Sequence, residues 1–116
     1  MTAPRPDESR AHHGLTRMTK IEVVVSGSDA AAVREVVSAA GATGYTGLSG
    51  VSGLGHHGYR QGRLLFNQQA TLELLITVVS DDKVDAVIAG LRPLLAESSG
   101  VMFVSDTYVS RPEYFS

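Results

Sequence analysis

The chain has 116 residues, 43% hydrophobic, 19% charged and 6% aromatic, with neither Cys nor Trp. That is the composition of a soluble globular protein, and the length holds one hydrophobic core rather than two. Lack of Cys excludes a disulfide framework, a thiol nucleophile and thiolate metal sites, while a formal charge of −2 lacks the basic excess of a nucleic-acid or membrane-surface binder.

Residues 1–17 mix Pro4, Pro6, Asp7, Glu8, Arg10, His12 and His13 without a hydrophobic period and read as a disordered lead. They carry no apolar core of a secretory signal, and no stretch approaches the roughly 18–20 apolar residues of a membrane span, so a cytoplasmic location without membrane insertion is expected. Met18 opens the patterned region and is read as an alternative start. Lys20 to Val25 is rich in β-branched residues and stops at Ser26-Gly27-Ser28, a first strand meeting a turn. Ser28 or Asp29 is placed to cap a helix in which Val33, Val36, Val37 and Ala40 form one stripe, ending at Gly41. A second strand begins at Gly44-Tyr45-Thr46 and fades near Val51. After a long loop, Thr71 to Val79 is a third strand, too apolar for a solvent-facing edge. Ser80-Asp81-Asp82 supplies a cap and helix-terminal charge, and Val84, Val87, Ile88 and Leu91 repeat the helical spacing until Pro93 kinks or ends it. Val101 to Val109 is the fourth strand, and residues 112–116 are a tail.

This order gives two βαβ halves, and the simplest packing is an α+β, ferredoxin-like double βαβ sandwich with helices on one sheet face. The first and third strands carry apolar residues at consecutive positions, which puts hydrophobic side chains on both faces and implies a homo-oligomer assembled through the sheets.

Eight of the twelve glycines lie between Gly41 and Gly62, and no carboxylate occurs from Val36 to Leu72, whereas His56, His57, Arg60 and Arg63 all do. Free backbone N–H groups and guanidinium forks are the groups that hold phosphate or another oxyanion. On composition alone, a loop whose glycines serve only turns stands beside that reading. Gly53-Leu54-Gly55-His56-His57-Gly58 matches G-x-G-x-x-G, with Glu73 twenty residues past Gly53. The dinucleotide fingerprint requires its last glycine to open a helix, and Tyr59 to Ala70 has little helical stripe, so that fold is rejected. Adjacent His56 and His57 point in opposed directions with no nearby carboxylate, so no metal site is assigned. No serine elbow or paired carboxylates mark catalysis, and no catalytic residue is assigned.

The order of elements, Gly44-Tyr45-Thr46, Gly53-Leu54-Gly55 and Val79-Ser80-Asp81-Asp82 together resemble the P-II signalling superfamily. The resemblance covers about residues 19–111, and the domain is set at 18–111. More narrowly, residues 41–46, 51–58, 62–67 and 100–105 look like the P-II-like proteins associated with carboxysomes and inorganic-carbon uptake. This resemblance implies a homotrimer with adenine-nucleotide sites between subunits and a mobile loop between the second and third strands. It implies a regulator rather than an enzyme. Thr46, the Gly53-Leu54-Gly55 backbone and His56 are expected at the nucleotide from one subunit, with Val78 bordering the base, Ser99, Gly100 and Val101 approaching from its neighbour, and Arg111 reaching the phosphates.

Nitrogen regulators of the superfamily end their phosphate loop in Lys before the fourth strand, whereas Glu97-Ser98-Ser99-Gly100-Val101 has an apolar residue there. ADP or AMP is therefore expected to bind better than ATP, with no prosthetic group. The second ligand implied by the carboxysome-associated group is bicarbonate, for which Gly58, Tyr59, Arg60 and Lys20 are candidates. Arg60 as a solvent-exposed side chain and Lys20 as a strand charge against aggregation are the simpler alternatives. A bicarbonate transporter or a carboxysome-related protein is the implied partner. A nitrogen-type sensor, another ligand-binding module on the same scaffold, and a small nucleotide hydrolase are the competing functions, the last lacking Mg²⁺ carboxylates in the loop.

Overall fold

Along β1 (Thr16–Ser26) the burial alternates: Thr19, Ile21, Val23 and Val25 are buried, and Lys20, Glu22 and Val24 between them are half-buried. That period of two is the signature of a strand with one face on the core. The structure is a computed structural model and describes residues 13–51, 54–55, 58–59 and 71–116.

After a single 3-10 turn, α1 (Ala30–Ala39) buries Ala30, Val33 and Val37. It ends as the glycine predicts. Gly41 has φ of 105°, its N–H donates to the Ser38 carbonyl at 3.1 Å and the Ala42 N–H donates to that of Val37 at 3.2 Å, the paired bonds of a Schellman cap. Strand β2 (Thr46–Val51) follows, with a bulge between Ser49 and Val51 at Gly50, whose φ is 75°. Short β3 (Leu54–Gly55) and β4 (Gly58–Tyr59) pair with each other, and β5 (Leu72–Val79), α2 (Asp81–Ala96) and β6 (Val101–Val109) complete the chain before a 3-10 turn at Pro112–Tyr114.

The main sheet has the order β2-β5-β1-β6, with every neighbouring pair antiparallel. This is the ferredoxin-like arrangement expected from the sequence. Both helices pack on one face, where Ile21, Val33, Val79, Val87 and Leu91 are fully buried, each such side chain stabilising by about 1.5–3 kcal/mol. The other face carries no helix. Register aligns Leu48, Leu74, Val24 and Val101 in one row across it, and Thr46, Ile76, Glu22 and Phe103 in the next. Leu48 is 50% and Phe103 52% exposed, so a largely apolar surface faces outward.

Three local readings of the sequence need amendment. Strand β1 starts at Thr16, inside the segment read as a lead, because Thr16 pairs with Val109 and Arg17 with Tyr108 across the sheet. Pro93 does not end α2, which runs on to Ala96. Ser80 and Asp29 occupy the N-cap positions of α2 and α1 but neither side chain makes the capping bond. The Ser80 hydroxyl is turned instead onto Asp82, and Asp29 accepts from Ser26 at 3.2 Å.

Candidate functional site

At the end of the sheet where β2 begins and β5 finishes, the C-terminal segment folds back to form a cleft of about 310 Å³. Its walls are Tyr45, Thr46, Ile76, Val78, Tyr114 and Phe115, with Gly44 and Thr77 between them. Two hydroxyls hold those walls. Thr77 Oγ1 donates to the Gly44 carbonyl at 2.6 Å, fixing the approach to β2, and Thr43 Oγ1 donates to the Tyr114 carbonyl at 2.7 Å, fixing the C-terminal segment. Arg111 Nη1 donates to the Tyr114 hydroxyl at 2.9 Å, and its guanidinium carbon lies 5.6 Å from the centre of that ring. Both geometry and chemistry fit a cation–π contact.

Thr46 and Val78, named from the sequence, thus share one cleft, and Arg111 is tied to its wall. Lys20 is the cross-strand neighbour of Val78 on the same sheet face, with Nζ 3.9 Å from Glu22 Oε1. Ser99, Gly100 and Val101 lie elsewhere. They lead into β6, while Thr46 opens β2, and these strands are the two edges of the sheet, three strand spacings or about 14 Å apart. Gly100 is required there by space: an added Cβ would meet Val25 Cγ1 at 2.7 Å, Leu95 Cδ2 at 2.8 Å and the Val24 carbonyl oxygen at 3.1 Å. Its N–H already has an acceptor in Ser98 Oγ at 3.0 Å.

Of the glycine-rich segment, Gly55 pairs with Gly58 and Leu54 with Tyr59, so the G-x-G-x-x-G match contributes to a small hairpin. Gly53, His56 and Arg60 lie outside the described residues. Glu73, the acidic residue at dinucleotide-fingerprint distance, sits in β5 and accepts from Arg34 of α1 at 3.0 Å. Among the described residues, no group of three His, Asp or Glu is placed to hold a metal, and no helix is long and apolar enough to cross a membrane.

Charge at the start of α2 is organised rather than merely solvated. Arg17 donates to Asp81 at 2.5 Å and to Asp106 at 3.2 Å, and Thr19 Oγ1 donates to Asp81 at 3.2 Å. The Asp81 hydrogen bond, reinforced by that carboxylate's charge, raises the Arg17 pKa above its ordinary value. Next to it, the hydrogen bond from Ser80 holds Asp82 below the usual carboxylate range.

Sequence reasoning missed Tyr114, Phe115 and Thr43. The available signal was compositional: the chain has only seven aromatic residues, four Tyr and three Phe, and two of them fall within the last three positions.

The family model described as nitrogen regulatory protein P-II matches residues 18–114. The chain belongs to the P-II family. Among solved structures, this P-II chain is similar to CPII, a PII-like protein from Thiomonas intermedia K12 bound to ADP, AMP and bicarbonate, with 34% identity over 87% of this chain and 95% of that one and a TM-score of 0.79. CPII bound to ADP and bicarbonate matches at 31% identity, over 88% of this chain and 97% of that one, with a TM-score of 0.77. A PII-like signalling protein of Thermus thermophilus shares the fold at 21% identity and a TM-score of 0.73, covering 88% of this chain and 98% of that one. Comparison with curated proteins gave no match.

Proposed function

We propose that this P-II chain is a non-catalytic cytoplasmic regulator that binds adenine nucleotides in clefts between the subunits of a homotrimer and senses bicarbonate. The observation that carries this reading is the 34% identity, over 87% of the chain, to CPII with ADP, AMP and bicarbonate bound. Two features of the molecule support it. The apolar sheet face without helices is the kind of surface that subunits cover in an oligomer. The residues expected at the nucleotide stand on opposite sheet edges of one subunit, so the Thr46 and Val78 cleft and the Ser99 to Val101 turn contribute to one site only when a second chain brings its own edge alongside.

In this reading Thr46, Val78, Arg111 and the backbone of Gly53, Leu54 and Gly55 with His56 act from one subunit, and Ser99, Gly100 and Val101 from its neighbour. Bicarbonate is held by Gly58, Tyr59, Arg60 and Lys20, and its occupancy is read by a partner in inorganic-carbon uptake, such as a bicarbonate transporter or a carboxysome-related protein. Val101 places no cation beside the phosphates, which favours ADP and AMP over ATP. The folded unit is residues 18–111, extended by the strand pairing at Thr16 and by the C-terminal turn.

Calorimetric titration of AMP, ADP and ATP into bicarbonate-depleted protein, repeated in saturating bicarbonate at fixed pH and ionic strength, tests the reading. Coupled sites must show as nucleotide affinities that shift with bicarbonate, because linkage is reciprocal. Tighter binding of ATP than of ADP overturns the stated preference, and absence of any nucleotide binding overturns the function.

A further inference from the structure

The cleft beneath the C-terminal turn has a chemistry of its own. None of its wall residues is charged, the hydroxyl of Thr77 is spent on the Gly44 carbonyl and that of neighbouring Thr43 on the Tyr114 carbonyl, and the polar groups left on the walls include the neutral hydroxyls of Tyr45, Thr46 and Tyr114. A lining without a cation is poorly suited to a phosphate or a bicarbonate ion, which needs charge to replace its hydration. It suits a flat, neutral, polarisable ring. Its volume, about 310 Å³, lies at the lower end of the roughly 300–1,000 Å³ of small-molecule pockets, enough for the ring portion of a ligand whose charged portion stays outside. Three aromatic side chains, Tyr45, Tyr114 and Phe115, border it, and Tyr114 is 59% exposed, a ring held at the surface by bonds rather than by burial.

We infer that Pro112–Tyr114 with Phe115 is a strap that walls in the planar base of the nucleotide, with Tyr114 as the residue that selects for a base by stacking. The inference deepens the nucleotide-binding reading above and rests on it. The main-chain tie from Thr43 sets the height of the strap over β2 and β5. Arg111 is stationed on the same ring and donates to its hydroxyl, so a cation stands beside the residue that contacts the base. Tyr114 therefore recognises the base through its ring, and the Arg111 contact is an added support for that ring.

The test is titration of AMP and of ribose 5-phosphate, which has the same phosphate and no base, into the wild-type chain and the Tyr114→Ala, Tyr114→Phe and Thr43→Val variants. Stacking on an aromatic side chain predicts that Tyr114→Ala weakens AMP by about ten-fold or more. The weak ribose 5-phosphate binding is expected to change far less, and Tyr114→Phe is expected to recover AMP affinity. Thr43→Val, which frees the strap but keeps every ring, is expected to weaken AMP in the same direction by a smaller factor. Tyrosine emission, undisturbed because the chain lacks Trp, is expected to fall on AMP addition in the wild type and to fall less in Tyr114→Phe. Wild-type AMP affinity in Tyr114→Ala, or equal losses for AMP and ribose 5-phosphate, overturns the strap while leaving nucleotide binding intact. A wild-type chain that binds neither ligand overturns the nucleotide reading itself, and the strap with it.

Discussion

Arg17 and Asp81 stand 64 positions apart in the chain, and the guanidinium Nη2 of one lies 2.5 Å from the carboxylate Oδ2 of the other. The contact fastens the first turn of α2 to the start of β1. Asp106 of β6 takes the second arm of the guanidinium at 3.2 Å, so one side chain joins a helix and two strands.

A chain beginning at Met18 lacks Arg17 and the Thr16 to Val109 pairing. It is expected to melt below the full chain by on the order of a few degrees, as loss of an exposed network and two strand residues implies. Arg17→Ala in the full chain is expected to reproduce part of that loss. Because the ions are exposed, that part shrinks as salt is added. Equal melting temperatures of the two chains in low salt would assign the network no stabilising role.

The Ser80 hydroxyl gives Asp82 a depressed pKa in the folded chain. A folded value below the unfolded one means that the carboxylate stabilises the fold above the unfolded pKa of about 4 and ceases to do so as pH falls through the folded value. Ser80→Ala is expected to move the Asp82 titration upward when followed by carbon NMR of the side-chain carboxyl, and, by bringing the folded pKa toward the unfolded one, to shrink the share of stability that is lost on acidification. An unchanged Asp82 titration would show that the hydroxyl is not the cause.

The sequence was informative where a side chain's fate depends on near neighbours. Gly41 marks the end of α1 because only a few residues around it decide the cap, and the alternating valines of β1 show which face is buried. It was silent where fate depends on distant partners. Thr16 and Arg17 look like the polar residues before them, and only Val109 and Tyr108 across the sheet make them strand. Ser80 has the right identity for a cap, yet Asp82 two residues on competes for its hydroxyl. Thr46 and Val78, named through the family resemblance, line one cleft, whereas Tyr114 joins its wall only when the tail folds back to Thr43, 71 positions earlier.

Gly90 and Gly100 both sit where a Cβ would collide, yet their substitution by Ala is expected to differ in cost. At Gly90 the obstacle is the Val36 Cγ1 methyl alone, at 2.7 Å, and Ala gains about 0.8–1 kcal/mol of helix propensity against the clash. At Gly100 a main-chain oxygen and two side chains crowd the position, and overpacking of that kind costs about 1–3 kcal/mol with no helical gain. Chemical unfolding of both variants is expected to place Gly100→Ala clearly below Gly90→Ala. The reverse order would mean that the turn before β6 yields more easily than the contact between helices.

Phe103 stands 52% exposed on the helix-free face, in the row that also holds Ile76 and Thr46, and Leu48 and Val101 stand 50% and 44% exposed in the adjoining row. A single outward Phe needs no explanation, but Leu48, Leu74, Val24 and Val101 form an unbroken apolar row beside Ile76 and Phe103, interrupted only by Glu22 and Thr46 in the second row, and water contact with the apolar part is costly at about 25 cal/mol per Å². Covering it by copies of the same chain removes that cost, and a second carboxylate at Phe103, beside that of Glu22, adds like-charge repulsion and a desolvation cost on every subunit at once. For the homotrimer proposed above, Phe103→Glu is therefore expected to convert a species of three times 12.3 kDa in sedimentation equilibrium toward single chains. The helix-side core, built on Ile21, Val33 and Leu91, lies on the opposite face and is expected to stay folded by circular dichroism. A nucleotide site completed by a neighbouring edge should be lost together with assembly, so the same variant is expected to bind ADP at least about ten-fold more weakly, in keeping with loss of a desolvated contact set. Full ADP affinity in a monomeric Phe103→Glu chain would place the whole site within one subunit.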